Sequence, residues 1–287
     1  MKSSSNSFSI ATARDSASEP IGVHEVGWLT IVLFLAAACV IMLLFSLTDD
    51  VAFLTALAEG PSWRNNVVTF GTLYVVTIGV VLFGVGRLRP ADLGLASRKF
   101  LVGFGVTAVV WLLVASVAAV STGGPILNRV WRETGAGPVL RWAVVMFVFT
   151  ALYEEIAFRG FLFPQLALKL GTSSRTGYWG AVVLSQLVFA AYHLPTNVLY
   201  HHMSGAALAN QFSIQTILGI ILLLIYLRTR NLWIAVGIHG LVDAPTPLFA
   251  GTTSVEIWVL ILLIGWHWIV RAPAHRGLAA VDSLGPP

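Results

Sequence analysis

Glu154, His193, His239 and Asp243 can each take up or release a proton, and all four stand in stretches rich in Val, Leu, Ile, Phe and Ala. Two of these stretches repeat one spacing. Phe189 and His193 are four apart, and so are His239 and Asp243, which on a helix puts each pair on one face. A third stretch carries Glu154, Glu155 and Arg159. Glu155 and Arg159, again four apart, are expected to form an internal salt bridge, whereas Glu154 lies about 100° round the helix and needs a different partner. Carboxylates and imidazoles that converge can strip a proton from water and return it to a leaving group, or hold a metal ion that does so. A cluster of Glu154, His193, His239 and Asp243 between three helices satisfies every one of these otherwise stranded groups.

Each residue also has a plainer reading. A lone histidine in an apolar helix is commonly a hydrogen-bonded packing residue, and Glu155 with Arg159 reads as structural support. His201 and His202 read as an exposed loop pair, and His267 and Glu256 as interfacial residues. What favours a site is coincidence, since nearly all the ionisable residues inside apolar runs fall on three of them. Water must be the nucleophile, because the sequence has no Gly-x-Ser-x-Gly elbow, no His-Glu-x-x-His pair and no Gly-x-Gly-Asp motif. Two versions stay open on the residues alone. In one, Glu154 with His193 suffices without metal. In the other, Glu154, His193 and His239 bind a Zn2+ that acidifies the water, two nitrogens and a carboxylate being a catalytic zinc set with an open position.

The elements that must position these groups are set by composition. Over 287 residues, 57% are hydrophobic and 10% charged, too little polar surface to coat a globule in water. The expected fold class is all-α: a polytopic transmembrane helical bundle of about eight spans, near 26–47, 67–86, 100–121, 142–168, 178–194, 212–227, 232–250 and 255–270. The lipid bilayer is thus the first partner. The fourth span buries three charges, which at ~3 kcal/mol each nearly cancel its apolar content if they face lipid, so they must face protein or trapped water. Pro195 is expected to end the fifth helix close by. These edges put His193 toward the non-cytoplasmic end of its helix and His239 nearer the cytoplasmic side, so convergence requires a different start for the fifth span or steep tilts.

Residues 1–25, with seven serines among the first twenty, read as a disordered cytosolic tail, 26–270 as the membrane domain with its motif core at 140–250, and 271–287 as a flexible C-terminal tail. Leaving out Arg159, the 17 basic residues divide twelve to four between the two sides of eight spans, which places both termini in the cytoplasm. No basic and aromatic cluster suggests nucleic acid. Cys39 is the only cysteine, which excludes an internal disulfide.

The three motifs, Glu154-Glu155-Ile-Ala-Phe-Arg159, Phe189-Ala-Ala-Tyr-His193 and His239-Gly-Leu-Val-Asp243, resemble in order the signature EExxxR, FxxxH and HxxxN or HxxxD of the CPBP membrane proteases. That family includes the type II CAAX prenyl endopeptidases and bacteriocin-processing or immunity proteins. The stretch Asp92-Leu-Gly-Leu95 is similar to a minor family feature. The resemblance implies an intramembrane endopeptidase acting on a membrane-associated peptide or protein, prenylated in the eukaryotic relatives. It implies that Glu154 and His193 activate a water, that His239 and Asp243 steady the oxyanion, and that Glu155 and Arg159 hold the fourth helix. It favours the metal-free version, in which no cofactor is required. Aspartate at 243 departs from the asparagine variant, since an ionised carboxylate cannot donate a hydrogen bond; it can instead orient His239, serve as a metal ligand, or stay protonated because burial favours the neutral carboxyl. The alternatives are a proton-coupled transporter, which predicts repeats related by pseudo-symmetry that the sequence lacks, and a non-catalytic immunity or scaffold protein, which has no reason to keep every costly polar residue.

Overall fold

The computed structural model describes residues 24–47, 62–171, 175–244, 247–251 and Gly265. The described residues form seven principal helices: α1 Trp28–Ser46, α2 Trp63–Val85, α3 Ser97–Ser121, α4 Ala136–Leu170, α5 Thr176–Tyr200, α6 Gly205–Thr229 and α7 Leu232–Asp243. Six of them are long and apolar enough to cross a membrane, and α7 is a shorter apolar helix. The outward faces of α1 and α3 carry Leu29, Val32, Leu101, Phe104 and Val120, all exposed. Such faces are costly in water and natural in hydrocarbon, where the helix satisfies its own backbone.

The centre of the bundle is α7. At ~1.5 Å per residue its 12 residues reach about 18 Å, well short of a ~30 Å hydrocarbon core. Apolar apart from His239 and Asp243, it is packed against α3, α4 and α6, with Leu232, Ile234, Ala235 and Ile238 buried. Close approach to α4 depends on Gly240, where a Cβ would lie 2.6 Å from Phe147 Cδ1. The predicted end of this span at residue 250 is corrected to Asp243. Beyond it, the backbone of Asn128 donates to Leu248 O (3.0 Å) and that of Ala250 to Ile126 O (2.7 Å), so the chain here is extended alongside residues 126–128 instead of helical.

Three other edges move. The fourth helix runs from Ala136 to Leu170, 35 residues or about 52 Å, so it must tilt or protrude. The sixth begins at Gly205 because Ala206, Ala207, Leu208 and Ala209 are strong helix formers, although less apolar than a span centre. The fifth does not end at Pro195. Its α-helical part closes at Tyr192, and Pro195, which has no N–H to lose, enters a further segment that winds on to Tyr200 in wider turns, with His201 N–H bonded to Thr196 O five residues back. The eighth predicted span and both tails lie outside the described residues, apart from Gly265 and residues 24–25.

Wide turns also flank the two glutamates on α4. Leu152 N–H bonds Phe147 O and Phe163 N–H bonds Phe158 O, each five residues back, with Leu152–Glu155 forming an α-helical island between them. Such insertions gather at functional sites because they re-aim side chains without ending the helix.

Candidate active site

Arg159 is the anchor around which the helices assemble. It and Glu155 are both 0% exposed. Its Nη1 donates to Glu155 Oε1 at 3.0 Å, one turn back on α4, and its Nη2 donates to Gly219 O on α6 at 2.8 Å and to Gln186 Oε1 on α5 at 3.4 Å. The guanidinium lies 4.6 Å from the centre of the Phe189 ring. The carbonyl of Gly219 is within reach because α6 crowds α5 there, a Cβ at 219 falling 2.8 Å from Gln186 Oε1. The expected salt bridge is present, and it ties together three helices instead of stiffening one.

Glu155 extends the link to a fourth helix. The same Oε1 that receives Arg159 lies 2.8 Å from Nδ1 of His239 on α7. Glu154, next in the chain, points away from this chain of bonds. Its Oε1 is 3.6 Å from His193 Nε2 and its Oε2 is 3.7 Å from His239 Nε2, so each carboxylate oxygen faces one imidazole. Asp243 brings Oδ2 to 3.4 Å from His239 Nε2. His193 is held from behind. Its backbone N–H bonds Ala190 O at 3.2 Å, three residues back, and its Nδ1 lies 2.8 Å from Phe189 O. A carbonyl can only accept, so Nδ1 carries the hydrogen and Nε2 faces Glu154.

All four proton-handling residues named from sequence therefore converge, and so do their supports Glu155, Arg159 and Phe189. Both histidines reach Glu154 although the fifth helix starts no later than expected, and His193 is not at its end because the helix runs on to Tyr200. Glu154 Oε2 and Asp243 Oδ2 are buried without a hydrogen-bond partner among the described residues, as is the hydroxyl of Tyr192. Unpaired buried polar atoms cost ~1–3 kcal/mol each, and Glu154 Oε2 and Asp243 Oδ2, both near His239 Nε2, leave room for polar contact with something other than the protein; Glu155 Oε2 and Arg159 Nε are also without a partner among the described residues. The separations of 3.6 and 3.7 Å are too long for direct hydrogen bonds and suit a bridging water.

Among the described residues no group of three or more His, Cys, Asp or Glu side chains is arranged to hold a metal ion. Glu154, His193 and His239, named for zinc, stand 3.6 and 3.7 Å apart across the carboxylate and are not among such a group. Sequence reasoning missed Gln186 and Tyr192. A signal existed for both: Gln186 is a carboxamide inside the apolar run of α5, three residues before Phe189, and Tyr192 directly precedes His193. His201 and His202 are exposed and apart from the cluster.

A cleft of about 530 Å³ opens between α3, α4 and α7. Its walls are almost wholly apolar, with Phe147 and Leu152 from α4 and Gly237 and Leu241 from α7 among them.

Residues 136–245, which carry all three motifs, match the family model described as Rce1-like, type II CAAX prenyl endopeptidase Rce1-like, as the motif resemblance led one to expect. No curated protein and no solved structure matches the chain.

Proposed function

We propose that this protein is an intramembrane endopeptidase that hydrolyses a peptide bond of a membrane-associated substrate with a water activated by Glu154 and His193. One observation carries the reading: a single buried carboxylate, Glu154, faces the Nε2 atoms of His193 and His239 at 3.6 and 3.7 Å. A water ~2.8 Å from both Glu154 Oε1 and His193 Nε2 fits that spacing and donates to each. As its oxygen attacks the scissile carbonyl carbon, Glu154 takes the proton and then returns it to the leaving nitrogen as the C–N bond breaks. His239 and Asp243 border the carboxylate from the other side, where the oxyanion forms. Nε2 of His239 donates to that oxyanion when the ring carries both protons. Asp243 stands 3.4 Å from the same nitrogen and orients the His239 ring; only in its protonated form can its carboxyl donate to an oxyanion.

The apolar cleft supports a substrate with an apolar portion delivered from the bilayer, a prenylated tail being one such form. The twelve-to-four partition of basic residues supports cytoplasmic termini. The test is cleavage of a membrane-anchored peptide by purified protein in nanodiscs, with Glu154→Gln and His193→Asn alongside. Loss of cleavage in both variants, with unchanged melting temperatures, is expected. Undiminished cleavage by either purified variant defeats the reading.

A further inference from the structure

Glu155 neutralises Arg159, but its geometry gives it a second task. Its Oε1 accepts from Arg159 Nη1 at 3.0 Å and lies 2.8 Å from His239 Nδ1. A carboxylate beside a guanidinium is ionised and accepts only, so the imidazole atom that meets it must bear hydrogen. Neither acceptor nor anchor can drift. Both side chains are sealed from solvent, and the guanidinium is pinned through Gly219 O and the Phe189 ring.

The opposite edge of the His239 ring has different surroundings. Nε2 lies 3.4 Å from Asp243 Oδ2 and 3.7 Å from Glu154 Oε2, two carboxylate oxygens with no hydrogen-bond partner of their own. With Glu155 removed, these two acceptors would draw the ring hydrogen to Nε2. The nitrogen facing Glu154 would then be committed to Asp243 or Glu154 and unable to exchange a proton with the site. Three carboxylates thus compete for one imidazole, and the shortest contact decides which nitrogen is left for chemistry.

We propose that Glu155 is a positioning residue that holds the ring hydrogen of His239 on Nδ1 and aims Nε2 at the Glu154 carboxylate. The contact mirrors the one between His193 Nδ1 and Phe189 O, so both imidazoles present the same atom to the site, one fixed by a backbone carbonyl and the other by a buried ion pair. The consequence for turnover rests on the hydrolase reading above. The tautomer does not.

The experiment is nuclear magnetic resonance of the full-length protein with 15N-labelled histidine in nanodiscs, the His239 signals being identified by their loss in His239→Asn. Wild type is expected to show a downfield Nδ1 proton on His239, and Glu155→Ala to lose it and gain an Nε2 proton. Glu155→Gln, whose carboxamide oxygen can still accept, is expected to restore the Nδ1 proton. In cleavage assays kcat is expected to fall ~10–100-fold in Glu155→Ala with KM little changed, and to recover most of the way in Glu155→Gln. If Glu155→Ala does not fold, the paired variant Glu155→Met with Arg159→Met, which leaves no unpaired buried charge, carries the same measurement. An Nδ1 proton that persists without Glu155, or its absence from wild type, overturns the proposal. Absence of cleavage by wild type together with the expected shift of the proton would strike the hydrolase reading and leave this one standing.

Discussion

Glu154 and Glu155 are neighbours on one helix, 2% and 0% exposed, yet their surroundings are opposite in kind. On the Glu155 side its carboxylate meets His239 on α7 at 2.8 Å and Arg159 at 3.0 Å, and the guanidinium carries the link on to α5 and α6. Glu154 itself stands off from both imidazoles, by 3.6 and 3.7 Å. The rigid side sets the positions of the helices, and the looser side inherits a gap of fixed size. A site that must accept water and an oxyanion needs such a gap, and a membrane protein can keep it open only if neighbouring groups are tightly bound.

Removing the carboxylate on the loose side should have the largest effect on turnover and almost none on stability. Glu154→Gln is expected to lower kcat by ~10²–10⁴-fold, the usual range for a general base, while the melting temperature in detergent stays near that of wild type. A large drop in melting temperature would show that Glu154 holds the fold as well and would blur the distinction. On the tight side the effects should be reversed in kind. Arg159→Ala leaves Glu155 buried without its counter-charge and is expected to cost about 3–5 kcal/mol, read from unfolding in detergent. Unchanged stability in that variant would mean the two sides do not differ as described.

Gly240→Ala probes the joint between the sides, because the added methyl would press on Phe147 just beside His239. A penalty of about 1–3 kcal/mol is expected, with reduced turnover from the displaced imidazole; wild-type activity and stability would show that α7 can shift freely. The smallest change is expected from chelation. Exhaustive treatment with a zinc chelator, followed by elemental analysis to verify removal, should leave cleavage intact, and loss of activity restored by Zn2+ alone would move the chemistry of the Glu154 side onto a metal.

The i, i+4 pairs were fully legible. Glu155 with Arg159, Phe189 with His193 and His239 with Asp243 each meet within one helix, and the helical period alone brings them together. The lipid solvent and the helical fold class were legible too, because charge-poor runs of about twenty residues admit no other economical structure. Less visible was the extent of α5, since a proline at a helix start costs little and a sequence pattern does not say whether a segment resumes beyond it. Hydropathy likewise ran α7 on to residue 250, although chain pairing with residues 126–128 ends it at Asp243.

By itself, then, the sequence determined that these residues dissolve in a bilayer, wind into helices and carry their polar groups on particular faces, all consequences of composition and of one helix's own geometry. Only the tertiary structure decided that each oxygen of Glu154 faces a different imidazole, that Glu155 reaches across to His239, and that an apolar cleft opens between α3, α4 and α7. Those outcomes depend on how closely separate helices approach. That distance is set by glycines such as Gly219 and Gly240 and by the reach of Arg159, across separations in the chain where no local period operates.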